Sequence, residues 1–208
     1  MLISDTTLRD GAQAEGIAFS PDDKRRIVHA LDDLGVPWIE AGNPGANALD
    51  EAFFETMAGE PPLRNSALAA FGSTCHPGTE PGEDQALNKL RNCRAEVKTI
   101  FGKSSVLHVR DVLRCTLEEN LRIIRESVRF LREGGDRVWY DAEHFFDSWR
   151  HDPDYALATL RAAEEGGAER IILCDTNGGS FPEQISEAVR ALRDKTSVPL
   201  GIHCHNDC

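Results

Sequence analysis

The sequence predicts an α/β fold, a (β/α)8 TIM barrel that is incomplete because only about seven strands are present. Short apolar runs alternate with amphipathic helical patterns along the whole chain. Their centres lie about 30–40 residues apart, the length of one strand-and-helix unit. The first run is followed by TTLRDGAQAEG, which lacks the GxGxxG spacing of a nucleotide-binding open sheet. A closed barrel therefore fits better than an open doubly wound sheet.

Each predicted strand is a short apolar run that seldom alternates polar and apolar residues, as expected for strands covered on both faces of a parallel sheet. The predicted strands are Leu2–Thr6, Trp38–Gly42, Ala67–Gly72, Val97–Phe101, Val138–Asp141, Ile171–Asp175 and Leu200–His203. The chain has 208 residues, whereas a complete barrel has about 250. We therefore expect residues 1–208 to form one barrel domain that is truncated after strand seven.

The predicted helices carry start and stop signals. Ser20 and Pro21 begin the first helix, and Gly35 ends it. We expect its buried stripe to consist of Ile27, Leu31 and Leu34. Three later helices begin at similar signals, at Thr116, at Asp152-Pro153 and at Pro182.

Charge and composition limit the classes of partner. The formal charge is −12, from 35 acidic and 23 basic side chains, so we expect neither nucleic acid nor a membrane as a partner. The start of the chain is too polar for a signal peptide, and no apolar run approaches the roughly 18–20 residues that span a bilayer. The six cysteines show no CxxC spacing, which favours reduced thiols and a cytoplasmic protein.

Polar side chains cluster at the carboxyl ends of four predicted strands, where barrel enzymes have their active sites. They are Thr7, Arg9, Asp10 and Gln13 after strand one; Asp141, Glu143 and His144 after strand five; Asp175, Thr176 and Asn177 after strand six; and His203, His205, Asn206 and Asp207 after strand seven. Chance can supply one or two such ends, but four indicate a site.

The segment His203-Cys204-His205 is the sharpest metal signal. Residues i and i+2 of a strand face the same side, so both imidazoles can bind one ion. Asp10, at the end of strand one, adds a carboxylate. Two imidazoles and one carboxylate leave coordination positions open for a substrate, and they suit Zn, Mn, Co or Fe. The alternative is a pair of histidines at a strand end that bind no metal.

The remaining polar residues each allow two interpretations. Arg9 can neutralise an oxygen on which charge builds up, or it can form a surface salt bridge. Glu143 can take part in acid–base chemistry, or it can pair with a nearby arginine. For four others, a capping or solvated role and a substrate contact both stay open: Thr176, Asn177, Lys103 and His108.

Two segments resemble the DRE-TIM metallolyase family, which includes 2-isopropylmalate, homocitrate and citramalate synthases and hydroxymethylglutaryl-CoA lyase. DTTLRDGAQAEG resembles the opening signature of that family, and GIHCHND resembles its HxHND metal motif. Four further segments are similar to the citramalate synthase branch: IEAGNPGAN, IFGKSSVLHV, YDAEHFFD and LCDTNGG. The similarity extends over essentially the whole chain.

The resemblance implies an acyltransferase that joins acetyl-CoA to a 2-oxo acid by a metal-assisted Claisen condensation. With pyruvate as the acceptor, the product would be (R)-citramalate, a precursor in isoleucine synthesis. The resemblance also implies a homodimer and a divalent metal such as Zn, Mn, Mg or Co. The implied roles are metal ligation by Asp10, His203 and His205, catalysis by Arg9 and Glu143, and substrate binding by Gln13, Thr176 and His108.

Two other functions compete with the acyltransferase. One is a carbon–carbon lyase or aldolase on the same scaffold, and the other is a non-catalytic fragment that depends on a partner chain. By resemblance, the chain is the catalytic barrel without the regulatory domain. We therefore hypothesise that the isolated chain has little or no activity.

Overall fold

The computed structural model describes residues 2–206. Asp207, which the sequence analysis grouped with the histidine pair, and Cys208 lie outside the described residues. The strands of the described part are β1 (Ser4–Asp5), β2 (Trp38–Glu40), β3 (Ala67–Ser73), β4 (Val97–Lys103), β5 (Arg137–Glu143), β6 (Arg170–Asp175) and β7 (Leu200–Cys204). All seven predicted strands are therefore confirmed, and no boundary differs by more than two residues from the predicted one.

The strands form one sheet in the order β1-β2-β3-β4-β5-β6-β7. Neighbours pair in parallel, as in the registers Asp5 with Ile39 and Cys174 with His203. A doubly wound sheet would reverse its strand order at a switch point. The sequential order is instead that of a (β/α) barrel, in agreement with the sequence prediction.

Eight helices connect the strands within residues 2–206: α1 (Pro21–Leu34), α2 (Ala48–Ala58), α3 (Gln85–Asn92), α4 (Val106–His108), α5 (Leu117–Glu133), α6 (Phe145–His151), α7 (Pro153–Gly166) and α8 (Pro182–Leu192). The predicted caps are confirmed, since Ser20 and Asp23 form a reciprocal capping box and Gly35 ends α1 in the left-handed region. Among the described residues, none of the helices is both long and apolar enough to cross a membrane.

The predicted buried stripe of α1 is wrong at Leu34, which is 77% exposed. The buried residues of α1 are Lys24, Val28 and Asp32, spaced by four. Two of these are charged, and a search for apolar periodicity passes over charged residues. Their burial is possible because both side chains have hydrogen-bond partners elsewhere in the fold.

The chain divides into two compact units. One consists of Met1–Gly72 with Gln85–Thr99, and its core includes Val28, Ile39 and Phe53. The other consists of Ser73–Asp84 with Ile100–Cys208. In this second unit, α5 packs against α7. Ile124, Val128 and Leu160 of these helices are 0% exposed.

We expect Gly166→Ala to destabilise the second unit. A Cβ at Gly166 would lie 2.6 Å from the carbonyl oxygen of Arg125 and 2.7 Å from the Cβ of Val128. Overpacking of this kind costs about 1–3 kcal/mol, which for a chain of this size lowers Tm by several degrees. Thermal unfolding measures the effect. Gly179→Ala is the control, because nothing lies within 4 Å of its added Cβ, and equal Tm values for the two variants would contradict the packing argument.

Candidate metal and substrate site

Arg9 organises the polar residues at the ends of β1 and β2. Its Nε donates to Oε1 of Glu40 at 2.6 Å, and its Nη1 donates to Oδ1 of Asp10 at 2.9 Å. The guanidinium carbon lies 3.9 Å from the centroid of the Phe71 ring. Only 9% of the Arg9 side chain is exposed. The surface salt bridge considered from the sequence is therefore wrong, and Arg9 is instead a buried cation held by two carboxylates and a ring.

Glu40 is the site residue that the sequence analysis missed. It is the last residue of β2, and it is buried. Burial raises the pKa of its carboxyl group, the Arg9 guanidinium opposes that rise, and the Asp10 carboxylate adds to it. The sequence placed Glu40 inside the predicted strand Trp38–Gly42, and only the shorter observed strand puts this acidic residue at a strand end like those of the other site residues.

His203 and His205 lie side by side at the end of β7. Their ring centroids are 5.0 Å apart and the ring planes differ by 10°. One ring nitrogen of each lies within 4.8 Å of the other. Cys204, between them, is exposed, as expected if it faces the opposite side of the strand. The two imidazoles can therefore direct nitrogen donors to one cation, which is the arrangement predicted from their spacing.

A carboxylate and a thiol accompany His203 in the second unit. Asp141 of β5 and Cys174 of β6 are both buried, and their ligand atoms lie within 4.8 Å of one another and of a His203 nitrogen. Cys174 is the direct register partner of His203. Cys204 lies between the two histidines in the sequence, but the thiol beside His203 belongs to the neighbouring strand.

The ends of β4 and β5 form a second polar cluster. Lys103 Nζ forms an ion pair with Glu143, so the partner of Glu143 is a lysine and not the arginine suggested from the sequence. Lys103 is the last residue of β4, which extends two residues beyond the predicted strand Val97–Phe101. His108 contacts His144 edge-to-face at a centroid distance of 4.4 Å. Burial, together with the neighbouring His144 and Lys103, lowers the pKa of His108 below its usual 6.5.

Thr176 connects the ends of β5 and β6. Its hydroxyl accepts a hydrogen bond of 2.9 Å from the backbone N–H of His144. His144 has a φ of 54°, a left-handed conformation that is uncommon for a residue other than glycine. Asn177 donates to Asp147 at 2.6 Å. Both residues therefore organise the turns at this edge. Gln13 is exposed, in the 3-10 turn Gly11–Gln13.

A profile of the HMGL-like family matches residues 1–208. The chain belongs to the HMGL-like family. The resemblance stated from the sequence motifs is thereby confirmed.

Two curated relatives of the chain carry the name of an enzyme. The chain is 48% identical over 98% of its length to a protein of Geobacter sulfurreducens named (R)-citramalate synthase, and 48% identical over 99% of its length to one of Aquifex aeolicus with the same name. It spans 38% and 39% of these relatives, about two fifths of their length.

A solved structure agrees with the fold. The structure of an HMG-CoA lyase from Bacillus subtilis superposes with a TM-score of 0.78 at 19% identity, covering 99% of this chain and 68% of the lyase chain. At this identity the likeness shows the fold alone. The predicted fold class, an incomplete (β/α)8 barrel, is confirmed.

Proposed function

We propose that the chain is the catalytic barrel of an acyltransferase that joins acetyl-CoA to a 2-oxo acid, with pyruvate as the acceptor and (R)-citramalate as the product. The observation that carries the proposal is the 48% identity over nearly the whole chain to (R)-citramalate synthases. In this reaction the methyl group of acetyl-CoA loses a proton, its carbon bonds to the keto carbon of pyruvate, and water then cleaves the thioester to release CoA.

A divalent cation would be held by Asp10, His203 and His205. The donor chemistry supports this set, because the paired imidazole nitrogens at the end of β7 and a carboxylate suit a catalytic site with open positions. A cation bound there would polarise the keto group of the 2-oxo acid as a Lewis acid. Zn, Mn, Mg and Co all remain candidates.

Arg9 would stabilise negative charge on the keto oxygen as the new bond forms. Its guanidinium is already oriented by Glu40, Asp10 and the Phe71 ring, so little reorganisation is needed during the reaction. Glu143, with Lys103 beside it, would carry a carboxylate for proton transfer or for orientation of the substrate. We also propose that the substrate contacts Gln13, Thr176 and His108.

Calorimetric titration of pyruvate into the chain tests acceptor binding. We expect binding with Co²⁺ or Mn²⁺ present and none in the metal-free chain. Arg9→Gln should weaken binding, because it removes a buried cation beside the acceptor. Arg129→Gln should not, because Arg129 is an exposed partner of Glu126 on α5. Equal pyruvate binding with and without metal would contradict the proposal.

Catalysis is tested in a chimera of residues 1–206 with the remaining part of the Geobacter sulfurreducens relative. We expect CoA release from acetyl-CoA that depends on pyruvate and falls about 100- to 1,000-fold in Arg9→Gln. A chimera that binds metal but only cleaves a hydroxyacyl-CoA would instead identify a lyase. A metal-loaded chimera that catalyses neither reaction would contradict both the acyltransferase and the lyase hypotheses. It would favour the hypothesis of a non-catalytic fragment that depends on a partner chain.

The setting of the reaction rests on the resemblance alone. We propose a cytoplasmic homodimer, with no nucleic-acid or membrane partner, whose product enters isoleucine synthesis. We also propose that the isolated 208-residue chain has little activity. Rapid release of CoA by this chain would disprove the proposal.

A further inference from the structure

Lys24 of α1 is a buried lysine whose ammonium group is fully hydrogen-bonded. Only 7% of the residue is exposed. Its Nζ donates to the carbonyl oxygen of Leu8 at 3.0 Å, to that of Ala41 at 2.9 Å, and to Oδ1 of Asp50 at 2.5 Å. An ammonium group has three donors, and here three acceptors surround it. Burial of the charge is therefore compensated by one carboxylate and two peptide groups.

Asp50 extends this contact to the chain that follows β2. It is a buried residue of α2, and its Oδ2 accepts a hydrogen bond of 2.8 Å from the backbone N–H of Asn43. Gly42 lies against the same carboxylate, since an added Cβ would be 2.5 Å from its carboxyl carbon, and its φ is +153°. The Lys24–Asp50 pair thus connects α1 and α2 to the segments that follow β1 and β2.

The two carbonyl groups that Lys24 binds stand next to the site residues. Leu8 immediately precedes Arg9 and Asp10, and Ala41 immediately follows Glu40. The side chain of Arg9 in turn binds Glu40 and Asp10. A shift of either backbone segment would therefore change the direction of the Asp10 carboxylate.

We propose that Lys24, together with Asp50, is a positioning residue that sets the direction of Asp10 and so tunes the affinity of the chain for its divalent cation. This inference rests on the proposed function, because it takes Asp10 as a ligand. It extends that function to a residue that contacts neither metal nor substrate and that lies on a helix outside the strand ends.

Lys98 provides a matched control for a purely structural effect. It is 0% exposed, lies in β4, and belongs to the same compact unit as Lys24. Its Nζ donates to the carbonyl oxygens of Cys93 and Ala95. These residues precede β4, whereas the residues that Lys24 binds adjoin the site. Removal of either ammonium group should destabilise the unit, but only the Lys24 variant should affect metal binding.

The test is a titration of the chain with Co²⁺, in which calorimetry and visible absorption measure the binding. We expect Lys24→Met to lower the affinity about 10- to 100-fold, the usual effect of losing a residue that orients a metal ligand. Lys98→Met should change it less than about 3-fold. Circular dichroism tests whether each variant is folded. If Lys24→Met does not fold, Asp50→Asn replaces it, because it keeps the shape of the side chain and removes the charge that faces Lys24.

The outcomes separate two kinds of failure. If the wild-type chain binds no Co²⁺, the proposed metal site itself fails, and the inference fails with it. If the wild-type chain binds Co²⁺ and the Lys24 or Asp50 variant binds it equally well, only the positioning role is overturned. An equal loss in Lys24→Met and Lys98→Met would also overturn it, because the effect would then reflect general destabilisation.

Discussion

Replacing His203 by alanine should lower the affinity of the chain for a divalent cation by at least about 100-fold, since the loss of a residue that merely supports a metal ligand already costs about 10–100-fold. His203 and His205 place their rings 5.0 Å apart and nearly parallel. One imidazole and a carboxylate would be left to hold the ion. Calorimetric titration with Co²⁺ and metal analysis of the purified chain measure the loss.

His151→Ala is the matched control, because His151 is an exposed histidine at the end of α6. We expect this variant to bind Co²⁺ like the wild-type chain. Unchanged affinity in His203→Ala would exclude His203 as a ligand. A comparable loss in both variants would indicate nonspecific binding to surface histidines.

Replacing Asp32 by alanine should destabilise the first unit by about 3 kcal/mol, roughly 1 kcal/mol for each of three backbone donors left without its acceptor. The Asp32 carboxylate accepts from the N–H groups of Arg64, Asn65 and Ser66 at 2.8–3.0 Å. Residues 64–66 lead directly into β3. Urea unfolding of the variant and the wild-type chain measures the difference.

The effect of Asp32 should depend on pH in a defined direction. Burial alone would raise the pKa of this carboxyl group, but the N–H bonds from residues 64–66 outweigh burial and hold the pKa below its usual 3.8. A lowered pKa contributes stability that is fully present above the usual value and is lost as the pH falls towards the folded-state value. The difference between the variant and the wild-type chain should therefore shrink below about pH 4.

Asp33→Ala is the control for this prediction, since Asp33 is the exposed neighbour of Asp32 on α1. A surface substitution of this kind usually changes stability by less than about 0.5 kcal/mol. Similar unfolding free energies for the two variants would contradict the role assigned to the buried carboxylate. A difference that grows at low pH would contradict the assigned direction of the pKa.

Much of this fold could be predicted because its signals are local. Ser20, Pro21 and Gly35 mark the ends of α1, since capping involves only residues within one turn of the helix. The seven strands were recognisable because each is a short apolar run between helical patterns. The pairing of His203 with His205 follows from the two-residue period of a strand, which holds wherever the strand lies.

Other features depended on contacts between residues far apart in the chain. Glu40 belongs to the site because Arg9, 31 positions earlier, donates to it, and Lys24 is buried because Asp50, 26 positions later, accepts its charge. Leu34 was expected in the core, yet α1 buries Asp32 instead, whose partners lie 32–34 positions away. The helices, the strands and the types of metal donor could thus be predicted, because periodicity and capping are local. Which charged side chains are buried could be known only from the folded chain, because burial of a charge requires a partner that the fold brings near.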